Sequence, residues 1–330
     1  MQPVLHVEGL WVDYFTRGRR LRVVQDVSFA IERGEMLGLA GESGSGKSTV
    51  ALAVARLLRP ENAAVGGMVR LNGTDFLALV GEGLRQTRWK SVALVSQSAM
   101  NALNPVINIF RQFDDMLTAH GYTDAVQNRH RAAELLDLVD LPEQVLNRFP
   151  HQLSGGMKQR VVIALALALH PDLIIMDEPT TALDVIVERE ILSKVKTLQR
   201  QLGFSVLFIT HDLDLLLRLT DRVAIMYAGQ LVETGPVGHF SRSLHPYSRA
   251  LVQSFPSLHQ HASDRRRGIP GAPPDLSHPP AGCRFHPRCV FVADVCQTAP
   301  AWEAVSEDPL IAVRCSRWKE IRDEFVSTVD

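Results

Sequence analysis

The run from Gly41 to Thr49, GESGSGKST, is the feature that most limits what this chain can become. It fits the spacing G-x-x-x-x-G-K-[ST]. An apolar run, Met36 to Ala40, precedes it, and the apolar spacing from Lys47 to about Leu58 predicts a helix after it. Between a buried strand and a helix, such a loop turns its backbone amides around a phosphate chain. Glycine accepts the dihedral angles that the curl requires, and the helix start adds the positive end of its dipole. Gly41, Ser43, Gly44, Ser45, Gly46, Lys47, Ser48 and Thr49 are therefore the candidate phosphate contacts. Lys47 is expected to reach the β- and γ-phosphates, and the Ser48 hydroxyl to ligate Mg²⁺.

The rest of the chain alternates strands and helices. Apolar alternation predicts strands over Leu5 to Tyr14 and Leu21 to Ile31, and Val92 to Ser96 reads as a buried strand. Residues 107 to 148 show helical periodicity without a strand. There follow a helix over Gly155 to Leu169, a strand over Leu173 to Met176, a helix over Val185 to Gln201 and a strand over Ser205 to Ile209. Short strands are expected at Arg222 to Met226 and Gln230 to Glu233. This order implies an α/β fold with a mainly parallel sheet covered on both faces. A net charge of −1 gives no reason to expect nucleic acid or anionic lipid as a partner. No apolar run reaches the roughly 18 residues of a membrane span. The N-terminus MQPVLHVEGL lacks a signal pattern, so a cytoplasmic location is expected.

Further motifs accompany the loop. Leu153 to Arg160, LSGGMKQR, opens a helix with Ser154 at the N-cap and the amides of Gly155 and Gly156 at its start, a second surface for an anion. The strand in LIIMDEPT runs out into Asp177 and Glu178. One carboxylate there can hold Mg²⁺ through water and the next can polarise an attacking water. A further strand, VLFIT, ends at His211. Taken singly, each has a plainer reading: a capped helix, solvated carboxylates, a structural histidine.

In series, these motifs resemble the ABC ATPase family over residues of about 4 to 250. The resemblance implies a RecA-like parallel sheet core with an antiparallel β subdomain and a helical signature subdomain at about 100–165. It implies that Tyr14 stacks on adenine, with Phe15 the neighbouring candidate. Gln97 then senses Mg²⁺ and the attacking water, Asp177 takes part in holding Mg²⁺, Glu178 is the catalytic base, Thr181 to Asp184 form the D-loop, and His211 contacts the γ-phosphate. Family members dimerise head to tail, each phosphate loop facing the partner's signature. One loop and one signature thus imply a second ATPase subunit, identical or different. ABC ATPases of translation carry two cassettes and those of DNA repair long insertions; neither feature is present here.

Within the family the chain resembles the peptide and nickel importer group. The resemblance rests on FPHQLSGGMKQR (Phe149 to Arg160), DEPTTALDV (Asp177 to Val185), MNALNPV (Met100 to Val106), HPYSRALVQSFP (His245 to Pro256), IPGAPPDL (Ile269 to Leu276) and GCRFHPRC (Gly282 to Cys289). It implies a peripheral subunit on the cytoplasmic face of the cell membrane, paired with two permeases and served by a substrate-binding protein. SQSAMNALNP also resembles a sub-branch that includes sugar-oligomer importers, so the expected cargo is peptide, with oligosaccharide or nickel as alternatives.

The composition shifts near residue 256. Residues 1–256 read as the ATPase domain, 257–282 as a proline-rich linker and 283–330 as a cysteine-rich module with a short helical tail over Arg317 to Val329. Cys283, Cys289, Cys296 and Cys315 are the only cysteines. They lack the C-x2-C pairs of zinc ribbons, and four thiolates in a loop-rich segment suit an iron–sulfur cluster. By the resemblance, some related subunits bind a four-iron, four-sulfur cluster there. Zinc or no metal are the alternatives, and the expectation is a tail without a core of its own.

Overall fold

Runs that are apolar on both faces become the strands at the centre of the fold, because a strand buried on two sides leaves no position for a polar residue. The computed structural model describes residues 2–16, 18–97, 102–181, 183–254, 268–305 and 308–326. In chain order it contains β1 (Leu5–Thr16), β2 (Arg19–Ile31), β3 (Met36–Ala40), α1 (Lys47–Val54), β4 (Ala63–Leu71), β5 (Thr74–Asp75), α2 (Gly81–Thr87) and β6 (Val92–Val95). There follow α3 (Ile109–Ala119), α4 (Ala125–Leu138), α5 (Gly155–Leu167), β7 (Leu173–Asp177), α6 (Val185–Leu202), β8 (Ser205–Ile209) and α7 (Leu213–Leu219). The chain continues through β9 (Arg222–Tyr227), β10 (Gln230–Pro236), α8 (Pro246–Ser254), β11 (Glu303–Val305), β12 (Asp308–Val313) and α9 (Trp318–Val326). It divides into two compact units, one of residues 1–5, 30–35 and 70–207, the other of residues 6–29, 36–69 and 208–330.

In the first unit, β6 and β7 pair in parallel, Val92 opposite Leu173 and Val95 opposite Met176. The stretch whose periodicity predicts helices folds as α3, α4 and a 3₁₀ turn over Glu143–Asn147. Ile109, Phe113, Leu117, Leu135, Leu136 and Leu146 form its buried face. The four helices α3 to α6 each start at a side-chain cap: Asn108 for α3, Asp124 for α4, Ser154 for α5 and Asp184 for α6. Such a cap satisfies amides that the first turn leaves without partners, at about 1 kcal/mol each. Between α3 and α4, the buried Asn128 amide donates to Asp114 Oδ1 and to the Tyr122 carbonyl, both at 2.8 Å.

In the second unit, β3 and β9 run parallel, Leu37 opposite Arg222 and Ala40 opposite Ile225. β10 pairs antiparallel with β9 and β12, and β11 antiparallel with β12. The C-terminal segment therefore has the core it was not expected to have. Its two strands extend the sheet beyond β10, and Val305, Val313 and Trp318 pack with Leu244 into a buried cluster that Ile311 and Cys315 adjoin. Among the described residues, no helix is long and apolar enough to cross a membrane.

Candidate functional site

The glycine-rich loop lies between β3 and α1, in the second unit, and its curl depends on left-handed backbone angles. Gly41, Gly44 and Gly46 have φ of 150°, 77° and 103°. A Cβ at Gly41 would stand 2.2 Å from the Met226 carbonyl oxygen, so the loop lies against β9 with no room for a side chain. Lys47 is buried, and its ammonium donates to the carbonyls of Gly41 at 2.7 Å and Glu42 at 2.9 Å. Among the described residues the buried Ser45 hydroxyl has no hydrogen-bond partner, an orphan of the kind a bound oxyanion would satisfy. The Ser45 carbonyl accepts from the Gly229 amide at 2.9 Å. Ser43 and Ser48 are exposed, and Thr49 is half-buried.

Two residues outside the sequence motif hold the loop from its other side. The Glu42 amide donates to the Tyr247 hydroxyl at 2.9 Å, and Arg288 forms a forked pair with the Glu42 carboxylate at 2.7 and 3.0 Å. Burial alone would pull the Arg288 guanidinium down, but its hydrogen bonds to Glu42 and Tyr227 hold it above its usual value. Tyr247 is pushed up by burial and by the Glu42 charge, so its hydroxyl stays protonated. In the same unit, Tyr14 is half-buried on β1 and His211 is exposed just after β8.

The acidic pair lies in the first unit, at the end of β7. All five β7 residues are buried, Asp177 among them, and Glu178 follows with φ of 46°, a left-handed angle that a non-glycine residue seldom adopts. Its carboxylate accepts from Gln97 Nε2 at 2.7 Å and from Thr181 Oγ1 at 3.2 Å. The signature segment begins α5, where Ser154 Oγ accepts from the Met157 amide at 3.3 Å, and Gly155 is exposed. A Cβ at Gly156 would lie 2.7 Å from Val187 on α6. Asp184 caps α6 through the amides of Ile186 and Val187, at 3.1 and 3.0 Å. The structure thus brings Gln97, Glu178 and Thr181 together. Residues 98–101, including the start of MNALNPV, and Ala182 of the D-loop lie outside the described residues.

All four cysteines are free thiols lining one enclosed cavity with Phe285, Phe291 and Ile321. Burial pushes Cys283 up, Cys289 up to about 11 and Cys315 up to about 12, so these are neutral thiols at pH 7. Among the described residues, no group of three or more histidine, cysteine, aspartate or glutamate side chains is arranged to hold a metal ion. The expected metal centre therefore finds its four cysteines gathered but not closed into an ion site.

A phosphate-cradling loop between strand and helix, in an α/β fold whose strand ends carry carboxylates, defines a P-loop nucleotide-binding protein. Residues 24–181 match the ABC transporter family model, and residues 232–296 match that of the oligopeptide/dipeptide transporter C-terminal region. A putative peptide import ATP-binding protein of Brucella abortus is 44% identical over 297 residues, 89% of each chain. The dipeptide transport ATP-binding protein DppD of Caldanaerobacter subterraneus is 39% identical over 329 residues, covering 98% of this chain and 99% of that one. Among solved structures, the dimeric ABC transporter cassette MJ0796 matches with a TM-score of 0.63 and 29% identity, over 71% of this chain and 98% of that one. The same cassette in a post-hydrolysis state, bound to ADP and Pi, matches with the same TM-score at 28% identity. The chain belongs to the ABC transporter family of ATP-binding proteins, with the C-terminal region of its oligopeptide/dipeptide branch.

Proposed function

We propose that this chain is the ATP-hydrolysing subunit of a peptide importer, acting at the cytoplasmic face of the membrane with a second ATPase subunit and two permeases. The observation that carries the reading is the curled loop around buried Lys47, with the Ser45 hydroxyl left for a ligand, in a chain matching peptide-import relatives over nearly its whole length. The loop amides and Lys47 bind the triphosphate, and Tyr14 offers its ring to adenine. Ser48, Gln97 and Asp177 hold Mg²⁺, which when bound neutralises charge on the phosphates. Glu178, oriented by Gln97, accepts the proton of the attacking water, and His211 steadies the γ-phosphate. Ser154, Gly155, Gly156 and Asp184 serve the nucleotide of the partner subunit, which is why hydrolysis is coupled to closure of a dimer.

Cargo is tested by reconstituting the subunit with its permeases in liposomes and adding the cognate binding protein loaded in turn with peptides, oligosaccharides or nickel. Stimulated ATP hydrolysis with peptide is expected; stimulation by sugar or nickel alone would replace the peptide reading.

The four cysteines are part of the same proposal as ligands of a four-iron, four-sulfur cluster. Their gathering around one cavity supports it, since four thiolates of a loop-rich segment are the ligand set of such a cluster. Such a centre would tie Cys315, beside the C-terminal helix, to the loop of Cys283 to Cys296. Protein purified without oxygen is expected to contain iron and acid-labile sulfide; absence of both removes the cluster.

A further inference from the structure

Arg288 precedes Cys289 in the chain, yet its guanidinium is committed to the phosphate loop. It donates to both oxygens of Glu42, to the carbonyls of Pro270 at 2.7 Å and Ile269 at 3.3 Å, and to the Tyr227 hydroxyl at 3.3 Å. Its side chain is 6% exposed and that of Glu42 24%, so the pair is largely withdrawn from water. The guanidinium also stands 5.8 Å from the Tyr227 ring centre and 5.9 Å from that of Phe285, a ring that meets Tyr227 edge-on. With Tyr247 holding the Glu42 amide, the second residue of the loop is fixed by main chain and side chain at once.

A carboxylate beside a site for a triphosphate is unfavourable, since like charges repel most strongly where water is sparse. An arginine fork cancels that charge and fixes the carboxylate in one orientation, which a lysine point charge would do less well. We infer that Arg288 is a positioning residue for nucleotide binding. It neutralises Glu42 and holds the phosphate loop in its binding conformation, so that ATP affinity depends on the folding of the cysteine-bearing loop. The inference rests on the ATP reading above and adds a residue to it.

The experiment titrates the full chain with a fluorescent ATP analogue and Mg²⁺, with thermal unfolding followed on the same samples. Arg288→Ala is expected to weaken binding about tenfold, in line with loss of a charged hydrogen-bonded pair. Arg288→Lys is expected to fall between the two. Glu42→Gln added to Arg288→Ala is expected to restore most of the lost affinity, because the orphaned charge is gone. A purely structural role would move the unfolding temperature of these variants and leave the affinity of the folded protein at the wild-type value. Wild-type affinity in Arg288→Ala, or no recovery in the folded double variant, overturns the inference. If Arg288→Ala does not fold, the comparison is made with Arg288→Lys, with and without Glu42→Gln, and the same recovery decides. Lys47→Ala separates the two readings. If it leaves affinity unchanged, the ATP site itself is misassigned; if it abolishes binding while Arg288 variants bind normally, only the role of Arg288 is lost.

Discussion

Gln97 donates from Nε2 to Glu178 Oε2 at 2.7 Å across 81 positions of sequence. The parallel register makes the contact: Val95 lies opposite Met176, so the chain leaves β6 and β7 at the same edge and the next side chains meet. Glu178→Gln keeps a group of the same shape but removes the basic oxygen. ATP turnover is expected to fall by about 10²- to 10⁴-fold with nucleotide binding retained. Gln97→Ala, which loosens the carboxylate without removing it, is expected to cost less. Phosphate release measured at saturating ATP checks both, and undiminished turnover in Glu178→Gln removes it as the base.

Gly41 and Gly44 are both left-handed but differ in their surroundings. Among the described residues nothing lies within 4 Å of a Cβ at Gly44, so Gly44→Ala is expected to cost only the backbone strain of about 1–2 kcal/mol. At Gly41 the Cβ would meet the Met226 carbonyl at 2.2 Å, and a main-chain oxygen within a sheet cannot rotate away. Gly41→Ala is therefore expected to cost more than about 3 kcal/mol and to displace the loop. Urea unfolding of the two variants gives the comparison, and equal losses would mean the clash is relieved.

Most of this architecture could be read from the residues, for a physical reason. β3, β7 and β8 are apolar at nearly every position, and a run buried on both faces can hardly be mistaken. The phosphate loop, the two carboxylates and the signature caps were legible because each is local, its geometry set by neighbours in sequence. β4 went unread because Gly66 and Gly67 interrupt its apolar pattern; a Cβ at Gly66 would meet the Trp11 ring at 2.3 Å, so packing and not propensity decides that strand. β12 and the cluster around Trp318 are hard to read among prolines and cysteines, since a short strand gains its stability from the partner β10, where Glu233 pairs with Val313, far along the chain. The grip of Arg288 and Tyr247 on Glu42 is non-local in the same way. HPYSRALVQSFP and GCRFHPRC were visible as blocks, but nothing in their spacing points back to the loop.

Gly156 presents a competition that magnitudes can decide. Alanine is a better helix former than glycine by about 1 kcal/mol, which favours Gly156→Ala in α5. Against this, its Cβ would stand 2.7 Å from Val187 Cγ1, and a β-branched side chain in a helix has one strongly preferred rotamer. Overpacking of this kind costs about 1–3 kcal/mol. The clash is expected to prevail, with net destabilisation and a shifted signature start. A gain in melting temperature would show that α5 and α6 separate without cost.

Asp13 is fully buried on β1 and faces two arginines of β2. Burial alone would raise its carboxyl, but hydrogen bonds from Arg22 and Arg20 outweigh that and hold it below the usual carboxylate range. Arg20 Nε donates at 2.6 Å and Arg22 NH2 at 2.9 Å, while the Arg22 guanidinium lies 4.7 Å from the Trp11 ring centre. Because the folded state binds this proton less tightly than the unfolded chain does, the stabilisation is complete above about pH 4 and is lost as pH falls through the depressed value. Asp13→Asn is expected to destabilise by about 1–2 kcal/mol at pH 7, a modest figure because the arginine side chains are 37% and 58% exposed and solvent screens them. The deficit relative to wild type is expected to hold from pH 7 to pH 5 and to shrink below pH 4, as the wild-type carboxyl takes up its proton. Urea unfolding of both proteins across that range measures it, and a deficit that stays constant down to pH 3 would assign the effect to shape and not to charge.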